Sequence, residues 1–132
     1  MGIFSFLFGK TNYVPEGKLT LQDSQEVKTG WQKVEEQASL GKPSNLKSAV
    51  IDADKLMDFV LRKMYPSLEA TGERLKAAKV KFVGKWEIYD GLWFAHKVRN
   101  EIVHNVNFEL PSSQVRDILE KFKAGLIELG GL

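Results

Sequence analysis

Both histidines of this chain, an arginine and two asparagines are crowded into residues 94–105, FAHKVRNEIVHN. On a helix turning about 100° per residue, His96, Arg99, Asn100, Val103 and His104 form one stripe, and Leu92, Ala95, Val98 and Ile102 form the apolar arc beside it. Lys97 and Glu101 fall on the far side, toward water. The polar stripe therefore borders the core or meets a second surface that can pair with it, because buried polar groups without partners are costly. His96 and His104 are eight positions apart, about 12 Å of helical rise, and cannot chelate one ion. With no HExxH and no evident third ligand, no metal is expected. The chain has no cysteine, no serine in a glycine-rich elbow and no phosphate-cradling GxxxxGK[ST] or GxGxxG. Acid–base chemistry on a phosphodiester does fit. It needs a group that titrates near neutrality, which histidine supplies, and a fixed planar cation for charge on the phosphoryl oxygens, which arginine supplies. An amide can orient one of them. RNA brings its own nucleophile, the 2′-hydroxyl, so neither metal nor cofactor is called for. Arg99, Asn100 and His104 are the candidate catalytic residues, with His96 as a supporting neighbour. The competing reading of the same residues is a hydrogen-bonded network that fixes helix register, with His96 a satisfied, half-buried side chain.

The elements that would hold this stripe are helical. Asp23 or Ser24 can cap a helix running to about Leu40, with Val27, Trp31, Val34 and Ala38 on one face and Gly41 and Pro43 as its stop. Ser44 or Asn45 caps the next, in which Leu46, Ala49, Val50, Ala53, Leu56, Met57, Val60, Leu61 and Met64 recur at three and four. Tyr65-Pro66 ends it. A short helix over about residues 70–78 follows, then the motif helix over about 87–103, then a last helix capped by Ser112 or Ser113. Its core face is Val115, Ile118, Leu119, Phe122, Leu126 and Leu129. The alternation in KVKFVG suggests a strand, but a single strand has no partner. The expected fold is all-α: a bundle of four to five antiparallel helices over residues 23–132, preceded by an apolar arm and loop at 1–22.

Composition is permissive. The 132 residues are 43% hydrophobic and 27% charged, enough for one domain with a core and a polar surface. A net charge of +2 allows a polyanionic partner without requiring one. The absence of cysteine fits a reducing cytoplasm, the expected location. No stretch reaches the roughly 20 apolar residues that span a bilayer. The opening MGIFSFLFGK has no basic leader and no small-residue cleavage site, so a secretion signal is not expected. Ile3, Phe4, Phe6, Leu7 and Phe8 are read as an arm packed on the domain or on a second subunit, with contact to a membrane surface as the alternative.

RNEIVH, together with AVIDADKLMDFVLRKM, TGERLKAA and LWFAHKVRNEIVH, resembles the HEPN domains, and in particular small bacterial HEPN-like proteins. The likeness covers about residues 44–127. It implies a HEPN-like helical bundle that dimerises through the motif helix. It also implies a metal-independent ribonuclease whose paired Arg and His line one cleft. Carried over by position, Arg99 would stabilise the scissile phosphate, His104 would be acid or base, and Asn100 would hold the geometry. His96 lies outside the motif. Other HEPN members serve in binding or assembly, so a non-catalytic dimerisation or protein-interaction module is the alternative.

Two further groups bear on the site. Asp54 falls at the edge of the apolar arc of its helix, where a carboxylate needs a cationic partner, and it is expected to pair with Arg99 or His96. Asp52 and Asp58 fall further round and are expected in solvent. Arg74, Lys76, Lys79, Lys81 and Lys85 form a basic run ahead of the motif helix, either a track for a single-stranded RNA backbone or a solvated face. Phe94, outside the main apolar arc, is a candidate dimer contact, and Trp31 and Trp93 are read as packing groups.

Overall fold

A computed structural model describes residues 14–132. The expectations for the apolar arm at residues 1–8 lie outside that range. Five α-helices and one 3-10 turn make up the described chain: α1 (Leu21–Leu40), α2 (Pro43–Met64), α3 (Thr71–Ala77), the turn Ala78–Phe82, α4 (Trp86–His104) and α5 (Ser112–Glu128). No strand is present among the described residues, so the all-α reading holds. The alternation in KVKFVG has a different cause. Leu75, Ala78 and Phe82 turn inward at spacings of three and four, while Val80 and Val83 stay exposed. That is a helical repeat carried from α3 into the 3-10 turn that follows it.

α2 is the central helix and packs against α1, α3, α4 and α5. Its inward face, including Leu46, Ala49, Val50, Ala53, Met57, Val60 and Leu61, is the expected one and is buried throughout. α1 and α2 are joined by a two-residue turn in which Gly41 adopts φ +76°, a left-handed conformation that closes the α1 C-terminus by a hydrogen bond from its N–H to Ala38 O. α4 and α5 approach closely at Gly125, where a Cβ would lie 2.7 Å from both methyl carbons of Leu92. The six expected core residues of α5, Val115 to Leu129, are all buried.

Helix starts differ from the sequence reading. Thr20, rather than Asp23 or Ser24, caps α1. Its hydroxyl accepts from Asp23 N at 3.0 Å, and Asp23 Oδ2 accepts from Thr20 N at 2.9 Å. This reciprocal box makes Asp23 the third helical residue instead of the cap. The body therefore begins before residue 23, and the end of the expected loop is already helix. α2 starts at Pro43, a first-turn proline that needs no N–H partner, so Ser44 and Asn45 lie inside the helix. Pro111 occupies the cap position of α5, and neither Ser112 nor Ser113 caps it.

Candidate functional site

Asp54 of α2 and His96 of α4 face each other in the interior, and Asp54 is only 3% exposed. Asp54 Oδ1 lies 2.7 Å from His96 Nδ1. A carboxylate only accepts, so in this contact Nδ1 carries the hydrogen and donates it. Asp54 Oδ2 lies 3.3 Å from Arg99 Nε. That Nε is buried and makes no hydrogen bond among the described residues, so its contact with Asp54 is charge against charge. The other end of the guanidinium is anchored differently, with Nη1 donating to Asn100 Oδ1 at 3.0 Å. Asp54 therefore takes both partners named from the sequence. The physical basis is the edge position of Asp54 on α2, which meets the polar edge of α4 where the two helices pack. The His96 ring is also held by Trp93, edge-on with centroids 6.1 Å apart, and Trp93 in turn meets Tyr89 at 6.5 Å.

The stripe divides along α4. His96 is buried, Arg99 keeps 30% of its side chain exposed, Asn100 is half-buried, and His104, the last helical residue, is exposed. Asp54, His96, Arg99 and Asn100 thus form one connected group. His104 shares their helix face and stands in solvent outside that network. Val103, between them on the wheel, is an exposed apolar side chain. Lys97 and Glu101 are exposed, as expected. Phe94 is 51% exposed. It lies over the α4–α5 side near Lys121, whose Nζ is 5.9 Å from its ring centroid.

One turn beyond Asp54, Asp58 departs from expectation. It is mostly covered, accepts hydrogen bonds from Arg74 and Thr71, and pairs by charge with Arg62. Arg74 Nη1, Arg62 Nε and Thr71 Oγ1 each lie 2.8 Å from its oxygens. Arg74 is buried, and its remaining N–H groups go to the carbonyls of Leu68 and Glu69. This corrects its assignment as an RNA backbone contact, because the side chain is spent inside the fold tying the 65–70 turn to α2. The rest of the basic run is also broken up. Lys85 pairs with both oxygens of Glu128 at 2.9 Å, Lys81 pairs with Glu16, and Lys79 lies 5.5 Å over the Trp86 ring. Lys76 is exposed. Trp86 itself is surface-exposed, and Trp31 is buried with its Nε1 donating to Glu35 at 3.2 Å.

A cavity of about 370 Å³ opens over Asp54 and Arg99, walled by Asp58, Phe59, Arg62 and Thr71. The sequence reading missed Phe59 and Arg62. Their signal was the second stripe on α2, in which Asp54, Asp58 and Arg62 follow at intervals of four, with Lys55 and Phe59 one position on. Among the described residues, no three His, Cys, Asp or Glu side chains gather as a metal site. No described helix is long and apolar enough to cross a membrane.

Comparisons with protein-family models, curated proteins and solved structures each find nothing that matches.

Proposed function

We propose that the chain is a HEPN-like, metal-independent endoribonuclease that binds single-stranded RNA as a dimer, with Arg99, Asn100 and His104 as its working residues. The observation that carries this reading is the state of Arg99. Its inner nitrogen is held against Asp54 and one outer nitrogen by Asn100, while 30% of the side chain still reaches solvent on the helix that ends in His104. A cation held in this way is preorganised for a phosphate oxygen. In the proposed reaction the RNA 2′-oxygen attacks phosphorus, the P–O2′ bond forms and the P–O5′ bond breaks. One His104 accepts the 2′ proton, and a second, from the partner subunit, supplies a proton to the leaving 5′-oxygen. The products are a 2′,3′-cyclic phosphate and a 5′-hydroxyl. Val103, exposed in the middle of the stripe, supports self-association there. Phe94, five residues from Arg99 and so about 140° round the helix, belongs to another face.

The test is cleavage of varied single-stranded RNAs in excess chelator, comparing wild type with His104→Ala and Arg99→Ala and measuring oligomeric state alongside. Chelator-resistant cleavage lost in both variants is the expected result. Wild type that cleaves no better than the variants refutes it. One observation favours a second reading, a non-catalytic interaction module: Arg99 is already charge-matched by Asp54, as a register-fixing network would require. In that case both variants lose partner binding or dimerisation, and no RNA is cut.

A further inference from the structure

The cavity beside Arg99 has a composition that the proposed chemistry does not use. On its α2 wall Lys55, Phe59 and Arg62 follow at intervals of four and three. The two cations are therefore about 10 Å apart on one helix face with an aromatic ring between them. Alternation of cation and aromatic is how proteins follow a single strand, phosphates on the charges and bases on the rings. Two carboxylates, Asp54 and Asp58, also line the cavity and by themselves would repel an anion, but each is already matched. Asp54 has Arg99, and Asp58 has the buried Arg74, whose position is fixed by two backbone carbonyls. Arg62, with 66% of its side chain in solvent, is a second cation on a carboxylate that needs only one. It can turn to a phosphate without leaving Asp58 unpaired. Lys55 is 71% exposed and sits 3.9 Å from Asp52, a loose surface contact. Lys63 Nζ stands 5.4 Å over the Phe59 ring and is itself held by Asp23 at 3.6 Å, as Lys81 and Lys85 are by their glutamates.

We infer that a single strand of RNA reaches Arg99 across this cavity, with Lys55 and Arg62 taking its phosphates and Phe59 meeting a base, and does not run along Lys76–Lys85. The inference rests on the RNA-binding part of the proposed function and not on cleavage. In the basic run one cation is buried and two are held by carboxylates, whereas the cavity wall offers cations in excess of what its carboxylates need.

The experiment is fluorescence anisotropy of a fluorescein-labelled oligouridylate in chelator over a series of salt concentrations, with cleavage scored separately. Arg62→Ala and Lys55→Ala should each weaken binding and flatten the slope of log affinity against log salt by about 0.7, the value for one contact to a single strand. Arg62→Lys should restore the slope. Phe59→Leu should weaken binding with the slope unchanged. Lys76→Ala and Lys79→Ala should leave both unchanged. Lys55 and Arg62 are surface side chains, and unchanged helical circular dichroism would establish that their variants fold. Wild-type slopes in the Arg62 and Lys55 variants, a loss carried instead by Lys76 and Lys79, or a wild type with no salt-dependent binding would each overturn the inference. Binding weakened in the Arg62 and Lys55 variants of a protein that never cleaves RNA would support the strand path and retire only the nuclease.

Discussion

Asp54→Ala is the most informative single change, because one carboxylate serves two partners of different kinds. His96 is buried and donates to Asp54 at 2.7 Å. Removing the acceptor leaves an unpaired donor in the interior, a cost of about 1–3 kcal/mol. Arg99 keeps 30% of its side chain in solvent and can relax toward water, so its share is smaller, about 1 kcal/mol. The expected total is about 2–4 kcal/mol, a large part of the roughly 5–15 kcal/mol that stabilises a domain of this kind. Asp54→Asn keeps the shape and an acceptor oxygen for His96 while losing the charge, and should cost about 1 kcal/mol. Urea unfolding followed by circular dichroism measures both. With a slope of ~1.5 kcal/mol per molar urea, the midpoint of Asp54→Ala should fall by about 1.3–2.7 M and that of Asp54→Asn by less than about 1 M. A double-mutant cycle with His96→Ala separates the partners, and a coupling of about 1–2 kcal/mol is expected for side chains in direct contact. If Asp54→Ala loses less than about 0.5 kcal/mol, or its effect simply adds to that of His96→Ala, the carboxylate does not hold the pair together and the reasoning fails.

Two other positions test the frame around the site. Gly125→Ala places a Cβ 2.7 Å from the Leu92 methyl carbons, and Leu92, fully buried, would have to shift within a packed core. Overpacking of about 1–3 kcal/mol should outweigh the roughly 1 kcal/mol gained in helix propensity, so the melting temperature drops, and a rise would refute the close α4–α5 contact. Tyr65 is buried and its hydroxyl has no partner among the described residues, so Tyr65→Phe should be neutral or stabilise by up to about 1 kcal/mol, against a clear loss if the hydroxyl is in fact bonded. Burial first, and the charge of Glu16 second, push this phenol up to about 12 from its ordinary 10. The fold therefore disfavours the phenolate. The contribution is intact below pH 10 and is lost as pH rises from 10 toward 12, and Tyr65→Phe should remove that part of the alkaline destabilisation.

The bundle was legible because each long helix repeats its apolar residues at three and four, and α2 shows this with Ala49, Val50, Ala53, Met57, Val60 and Leu61 all inward. Asp54 was legible as the one carboxylate on the edge of that face. What escaped the sequence was pairing at a distance. Asp58 sits where a wheel places solvent, yet the turn after α2 folds Thr71 and Arg74 back over it. No local pattern records that contact across 16 positions, and the same contact removes Arg74 from the basic run. The charge content of a run of lysines and arginines says little about a binding track until each cation's partner is known. Lys81 and Lys85 find theirs in Glu16 and Glu128, at opposite ends of the described chain. Thr20 was missed for a smaller reason: with both Thr20 and Asp23 able to cap, only their reciprocal bonds show which one stands outside the helix.

The two readings of the polar stripe differ in what they ask of Arg99. A network that only fixes register is complete with Asp54 and His96, whose 2.7 Å contact joins α2 to α4. Arg99 adds little to such a device. Among the described residues its buried Nε makes no hydrogen bond and meets only the charge of Asp54 at 3.3 Å. What that position achieves is orientation. With Nε drawn against Asp54 and Nη1 held by Asn100, the guanidinium is held at the lining of the cavity. A guanidinium fixed at one end by a carboxylate and an amide, and open at the other, is arranged to receive an anion. Under the proposed function the open end of this fork would meet a phosphate, and the cavity walled by Arg62 and Phe59 would be the side from which a strand brings it.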